Sequence, residues 1–150
     1  MKGWLAVSVS AQGTRSPVAT SRLAECAREV LRAEKARAAM ISVTLVSNAR
    51  IAALNWRHLR HRGPTDVLAF ALARAPRGPV MGDIYVAPAV ARSNAVRLGL
   101  GVREELVRLV VHGVLHVLGH DHPAGTAREA SAMWRRQERL VGRLRKAGVA

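Results

Sequence analysis

Three histidines in the last third of the chain, His112, His116 and His122, have the spacing of ligands to one metal ion. His112 and His116 are four residues apart, so on a helix their side chains project from the same face. Gly119 is predicted to end that helix, since glycine turns out of a helix at no steric cost. His122 follows just past the turn and can reach the same ion. Three imidazoles leave a fourth position for water, which is typical of a catalytic zinc site.

Two neighbouring residues, His120 and Asp121, are further candidates for functional roles in this cluster. His120 directly follows the glycine and is the alternative third ligand, but His122 is preferred because it has the third-ligand spacing of known zinc proteins. Asp121 is predicted to orient a ligand imidazole or to act as a base. We expect one zinc ion per chain, although imidazole also suits nickel and copper.

The residue after the first histidine, Gly113, separates this pattern from that of the zinc peptidases. The zincin pattern H-E-x-x-H-x-x-G-x-x-H has a glutamate there, which is the general base of those enzymes. Glycine within a helix costs about 1 kcal/mol relative to alanine. Gly113 therefore indicates either close helix packing or room for a bulky substrate group, and a zinc peptidase is the least favoured interpretation.

Composition and charge indicate a single domain with a polyanionic partner. The chain has 150 residues, of which 49% are hydrophobic and 3% aromatic, so an aliphatic core is expected. The formal net charge is +14, and all but three of the 24 basic residues are arginines. Arginine binds phosphate through two parallel hydrogen bonds, so nucleic acid is the favoured partner.

Cysteine content and hydropathy point to the cytoplasm. Cys26 is the only cysteine, which excludes a disulfide framework and a Cys-rich zinc cluster. The N-terminal segment Met1–Gln12 alternates apolar and small residues, so it is predicted to be a strand rather than a signal peptide. No apolar stretch reaches 18 residues, and no membrane association is expected.

Hydrophobic periodicity predicts a single α+β domain over residues 1–150, with a four-stranded mixed sheet packed with helices and a zincin-like metal helix. The predicted strands are Trp4–Val9, Ile41–Val46, Asp66–Leu72 and Gly82–Val86. The predicted helices are Ser21–Lys35, Asn48–Leu59 with Asn48 as its cap, Pro88–Leu98, the metal helix Arg103–Leu118, and Thr126–Lys146, which opens on a capping box at Thr126–Glu129.

Three further blocks complete a recognisable pattern: Leu54-Asn55, the segment Pro64–Phe70, and Gly82-Asp83-Ile84. With the histidine segment, they resemble the YbeY family of rRNA maturation factors, whose pattern is L-N, then P-T-D-V-L-S-F, G-D-I and H-G-x-L-H-L-x-G-x-D-H. The resemblance runs from residue 54 to residue 138, with Ala69 in place of the serine.

The resemblance implies a metal-dependent endoribonuclease with one zinc ion, acting in ribosomal RNA maturation and ribosome quality control. The zinc ligands would be His112, His116 and His122, which occupy the three histidine positions of the motif. The implied partners are ribosomal RNA and the small ribosomal subunit, with a ribosomal protein or an assembly GTPase as a further partner.

The chain departs from the family pattern before the second block. The family has Tyr-Arg where His58 and Leu59 stand here, and that arginine is associated with the RNA phosphate. Arg60 is one residue later, with Arg57 and Arg62 nearby, and these three are the predicted phosphate contacts. Their charge would stabilise the negative charge that develops during phosphodiester cleavage.

The sequence leaves the general base and one alternative function open. The base is hydroxide on the metal, Asp83, Asp121 or the 2′-hydroxyl of the RNA. The alternative to an enzyme is an rRNA-binding ribosome-assembly factor with a structural metal, whose fourth ligand would be His120 or Asp121.

Overall fold

The computed structural model describes residues 3–72, 76–121 and 131–149. In these ranges four strands and five helices follow one another along the chain. Their order is β1 Trp4–Gln12, α1 Thr20–Ala33, β2 Ala38–Val46, α2 Asn48–Leu59, β3 Val67–Ala71, β4 Val80–Val86, α3 Pro88–Leu98, α4 Val102–Val117 and α5 Ala132–Lys146. The predicted α+β class is confirmed.

The four strands form one mixed sheet in the order β1-β2-β4-β3. β2 pairs in parallel with both β1 and β4, whereas β3 runs antiparallel to β4 and lies at the edge of the sheet. Gly82 and the side chains of Ile84 and Val86 lie on one face of β4 and are buried, while Met81, Asp83 and Tyr85 point to the other face and are only partly buried.

Helices α1, α4 and α5 share the main core with the buried face of the sheet. Helix α4 lies unusually close to β4 at two glycines. A Cβ atom on Gly113 would lie 2.7 Å from Cγ2 of Ile84, and one on Gly82 would lie 2.6 Å from both methyl groups of Val117. Of the two interpretations of Gly113, close packing accounts for the structure. This contact fixes the rotation of α4, and with it the direction in which its histidines project.

Helix α2 packs on the other face of the sheet, near the ends of β2 and β4, through Ile51 and Leu54. The buried Asn55 of the Leu-Asn block donates from Nδ2 to the carbonyl oxygen of Gly63 at 3.0 Å. Asn55 therefore anchors the loop that leads from α2 into β3.

Two helix starts differ from the sequence prediction. The cap of α2 is Ser47 rather than Asn48, because the Ser47 hydroxyl accepts from the Arg50 amide at 3.2 Å. Helix α5 begins after Ser131, which is extended and whose hydroxyl accepts from the Trp134 amide at 3.1 Å. A continuous helix from residue 126 to Lys146 is therefore wrong, while the capping box itself lies outside the described residues.

Cys26 is fully buried in α1, and burial raises the pKa of its thiol to about 11. The thiol is therefore a packing group rather than a nucleophile. Within the described ranges, no helix combines the length and the apolar character needed to cross a membrane.

Candidate metal centre

His112 and His116 line a cleft of about 760 Å³. Its walls come from the edge strand β3, the last turn of α3, helix α4 and the first turns of α5. Because β3 has a neighbour on one side only, this strand forms an open wall of the cleft. The cleft thus combines the two histidines with an exposed sheet edge.

The structure brings the first two predicted ligands together. The ring centroids of His112 and His116 are 4.6 Å apart, with an angle of 73° between the ring planes. The predicted third ligand, His122, lies outside the described residues. Within the described part of the chain, no group of three or more His, Cys, Asp or Glu side chains is arranged around a common metal position.

Gln137 on α5 fixes the orientation of His112. The distance from His112 Nδ1 to Gln137 Oε1 is 2.7 Å, and Gln137 is 2% exposed. Gln137 Nε2 donates to Glu138 Oε2 at 3.1 Å, which turns the amide oxygen toward the imidazole. Because that oxygen can only accept, Nδ1 carries the proton and Nε2 carries the lone pair.

An ion-pair network around Arg108 holds Glu138, the hydrogen-bond partner of Gln137. Arg108 donates to Glu138 from Nε at 2.9 Å, and from Nη2 to the other carboxylate oxygen at 3.0 Å. Nη1 of the same guanidinium donates to Glu105 at 3.3 Å. Burial raises the pKa of Glu105 despite the lowering effect of Arg108. The network makes α4 and α5 a rigid support for the histidine pair.

This donor set fits a zinc ion. Zinc binds neutral imidazole nitrogens, and zinc-binding histidines are held by a hydrogen bond from the other ring nitrogen to an oxygen acceptor. His112 has such a bond, and His116 lies one helical turn away on the same side of α4.

The chain matches the family described as Endoribonuclease YbeY over residues 8–145. It belongs to the YbeY family. An Endoribonuclease YbeY of Geobacillus kaustophilus is 40% identical over 115 residues, which cover 70% of this chain and 72% of the relative. One of Acidothermus cellulolyticus is 36% identical over 143 residues, covering 81% and 87%. The solution structure of TM1509 from Thermotoga maritima superimposes with a TM-score of 0.60 at 28% identity, covering 95% of this chain and 94% of that one.

His120, the alternative third ligand, is held elsewhere. Its Nε2 lies 2.6 Å from Oε1 of Glu34, and the two side chains line a different cavity from that of His112 and His116. Asp121 is exposed and is not among the residues that line the cleft. The group that contacts Nδ1 of His112 is the Gln137 amide. The role of Asp121 in orienting a ligand imidazole stays a prediction.

Asp83 lies on the wrong face of the sheet to act as the base. Its neighbour Ile84 points toward Gly113 of α4, so Asp83 points away from α4. Its Oδ1 accepts from the hydroxyl of Ser42 on the adjacent strand at 2.6 Å. The structure does not bring Asp83 to the histidines, which removes it as a candidate base.

The predicted phosphate contacts Arg57, Arg60 and Arg62 are not among the residues that line the cleft. Arg60 ends α2 in a left-handed conformation, and its guanidinium lies 5.3 Å from the ring centroid of Trp56. The guanidinium of Arg62 lies 5.4 Å from the same centroid. Leu59, which stands where the YbeY pattern has arginine, does line the cleft and is 46% exposed.

The sequence analysis missed Gln137, although a signal was present. The buried positions of α5 are Met133, Gln137, Leu140, Val141 and Leu144. A lone polar residue at helical spacing on an otherwise apolar stripe has to find a hydrogen-bond partner in the interior. That partner is the first histidine of the motif.

Replacing Gln137 with leucine is expected to weaken zinc binding about 10- to 100-fold, because the Nδ1 proton of His112 loses its acceptor. Competition with a chromogenic chelator measures the affinity. Leu140→Ala, on the same buried stripe, should lower the thermal midpoint while leaving the zinc affinity unchanged. Equal zinc affinity in Gln137→Leu and the unmodified protein would contradict this role.

Replacing Glu34 with glutamine is expected to destabilise the protein by about 1.5–3 kcal/mol at pH 7, since two charged hydrogen bonds are weakened. Burial alone would raise the pKa of Glu34, but hydrogen bonds from Arg136 and His120 lower it below its ordinary value of 4.5. The ionised Glu34 carboxylate therefore stabilises the folded protein fully above pH 4.5. This stabilisation is lost as the pH falls through the lower pKa that Glu34 has in the folded state.

Urea unfolding of both proteins at several pH values tests this expectation. The difference between them should shrink below pH 4.5. Glu29→Gln, which removes an exposed carboxylate from the same helix, should change stability far less. A difference that stays constant down to the acid transition would contradict the assignment.

Proposed function

We propose that this chain is a zinc-dependent endoribonuclease that cleaves ribosomal RNA during ribosome maturation and quality control in the cytoplasm. Membership of the YbeY family identifies it as an endoribonuclease. The observation that supports the metal is the His112–His116 pair in an open cleft, with the tautomer of His112 set by Gln137. His122 is proposed as the third ligand.

In this proposal each side chain has a defined task. His112 and His116 would hold the zinc ion, which supplies Lewis-acid polarisation of a phosphoryl oxygen. Gln137 keeps the proton of His112 on Nδ1, and the carboxylates around Arg108 keep Gln137 in place. Since Asp83 is on the other face of the sheet, the base is expected to be Asp121, a solvent hydroxide or the 2′-hydroxyl of the RNA.

Charge supports RNA as the substrate. Six of the ten acidic residues (Glu25, Glu29, Glu34, Glu104, Glu105 and Glu138) already form ion pairs within the chain. The chain carries 24 basic and 10 acidic residues, so these ion pairs leave a large excess of positive charge. Arg60 and Arg62 lie around the half-exposed Trp56, one helical turn before Leu59 at the cleft, and this surface is suited to RNA that flanks the cleavage site.

The test is cleavage and binding of a 16S ribosomal RNA fragment by the zinc-loaded protein. We expect cleavage that stops when a chelator removes the metal and returns when zinc is restored. Affinity should fall steeply with salt, with a slope of about −0.7 for each phosphate neutralised on a single strand.

Two results separate the alternatives. Salt-dependent binding without any cleavage would favour an assembly factor with a structural metal. A flat salt response would mean that the arginine-rich surface does not bind the RNA, and would contradict the proposed substrate. Pull-down of the small subunit, a ribosomal protein or an assembly GTPase from matched lysates tests the proposed partners.

A further inference from the structure

We propose that Arg97, at the end of α3, is the residue of the cleft that binds the phosphate of the substrate. This inference rests on the proposed function, because it takes the substrate to be RNA. Leu59 lines the cleft, but an apolar side chain cannot neutralise a phosphate. Among the described residues that line the cleft, the positive charge has to come from an arginine.

Among the residues that the structure describes, two arginines line the cleft, Arg97 and Arg108. Arg108 is 12% exposed and is already neutralised by Glu105 and Glu138, at 3.3 and 2.9 Å. Its guanidinium would have to leave two carboxylates to meet a phosphate, which makes it a structural residue of the α4–α5 interface. Arg97, by contrast, is exposed and lines the cleft from α3.

Arg97 is oriented without being neutralised. Its Nη2 donates to Oδ1 of Asn94 at 3.3 Å, and over the described residues it forms no ion pair with a carboxylate. Asn94 in turn donates from Nδ2 to Oδ2 of Asp66 at 3.3 Å, and Oδ1 of Asp66 accepts from the Val67 amide at 2.8 Å. A neutral amide therefore aligns one edge of the guanidinium, and the full positive charge remains for the substrate.

Apolar side chains line the same cleft as Arg97. Leu59, Leu98 and Leu100 are 46%, 55% and 37% exposed. Contact of these side chains with a bound phosphate would remove part of its hydration, which strengthens a charge-assisted hydrogen bond. Guanidinium can bind two oxygens of one phosphodiester in parallel, and it remains charged at any working pH.

The experiment compares Arg97→Ala, Arg97→Lys and Arg92→Ala. Arg92 is the matched control, since it is an exposed arginine on α3 that does not line the cleft. With the zinc-loaded protein and a 16S ribosomal RNA fragment, Arg97→Ala should lower kcat/KM by about 100-fold, on the scale of a lost oxyanion donor. Lysine should restore part of the loss, because it keeps the charge but not the paired geometry. Arg92→Ala should stay within twofold.

A second measurement does not depend on cleavage. In a His116→Ala background, binding of the same fragment is titrated against salt, and adding Arg97→Ala should lower the slope by about one phosphate contact more than adding Arg92→Ala. Loss of kcat/KM or loss of slope specific to Arg97 supports the proposal. If Arg97→Ala matches Arg92→Ala in both measurements, the proposal is overturned. If the unmodified protein does not cleave RNA, the proposed function fails, and the slope alone decides the role of Arg97.

Discussion

Replacement of His116 with alanine is expected to remove the metal and to lower RNA cleavage by about 1,000-fold or more. His116 and His112 are the two described imidazoles that face each other in the cleft, so loss of either leaves too few ligands for a stable site. A metal ion contributes several kcal/mol of transition-state stabilisation, and each 1.4 kcal/mol corresponds to a factor of ten in rate. Elemental analysis after dialysis and a cleavage assay measure the two effects.

The matched control for His116→Ala is His120→Ala. His120 is a neighbour in sequence, but its Nε2 is engaged by Glu34 in a different cavity. His120→Ala should therefore keep the zinc and lower stability, whereas His122→Ala should lose zinc as His116→Ala does. Full zinc content in His116→Ala would remove the metal centre from the proposed mechanism, and loss of zinc in His120→Ala would make His120 a ligand.

The sequence predicted those features that depend on local spacing. The histidine pair follows from two positions four apart on one helix, and the four strands follow from alternation and β-branched residues. Local spacing could not predict the start of α5, because Thr126 and Ser131 are both residues that commonly cap helices. Deciding between them requires knowing where the preceding chain runs.

The features that the sequence did not predict depend on how distant elements are rotated against each other. Asp83 belongs to the Gly-Asp-Ile block, but only the packing of Ile84 against Gly113 shows which face of β4 meets α4. The same holds for Arg97, which we propose to bind the phosphate. Arg60 is closest in sequence to Leu59, yet the left-handed end of α2 places its guanidinium near Trp56, while Arg97 reaches the cleft from α3.

Replacement of Gly113 with glutamate would give the chain the H-E-x-x-H-x-x-G-x-x-H pattern of the zinc peptidases, but it is expected to prevent stable folding. A Cβ atom at this position would lie 2.7 Å from Cγ2 of Ile84, and 3.1 and 3.3 Å from two further carbons of the same side chain. The glutamate would therefore point into the interface between helix and sheet. Overpacking costs about 1–3 kcal/mol and burial of an unpaired carboxylate costs several more, which approaches the whole stability of a small domain.

Gly113→Ala separates the steric effect from the effect of the charge. Alanine gains about 1 kcal/mol in helix propensity but meets the same Ile84 side chain, so a net loss of up to about 2 kcal/mol is expected. Combining Gly113→Ala with Ile84→Ala removes the contacting atoms, so the two substitutions should destabilise by less than the sum of their separate effects. Urea unfolding measures the stability of all four proteins of the cycle.

If Gly113→Glu folds with unchanged stability and gains peptidase activity, the position faces the metal rather than the sheet. The absence of a glutamate would then reflect a different reaction mechanism. The observed contact instead attributes this absence to packing, because α4 can approach β4 this closely only where it has no side chain.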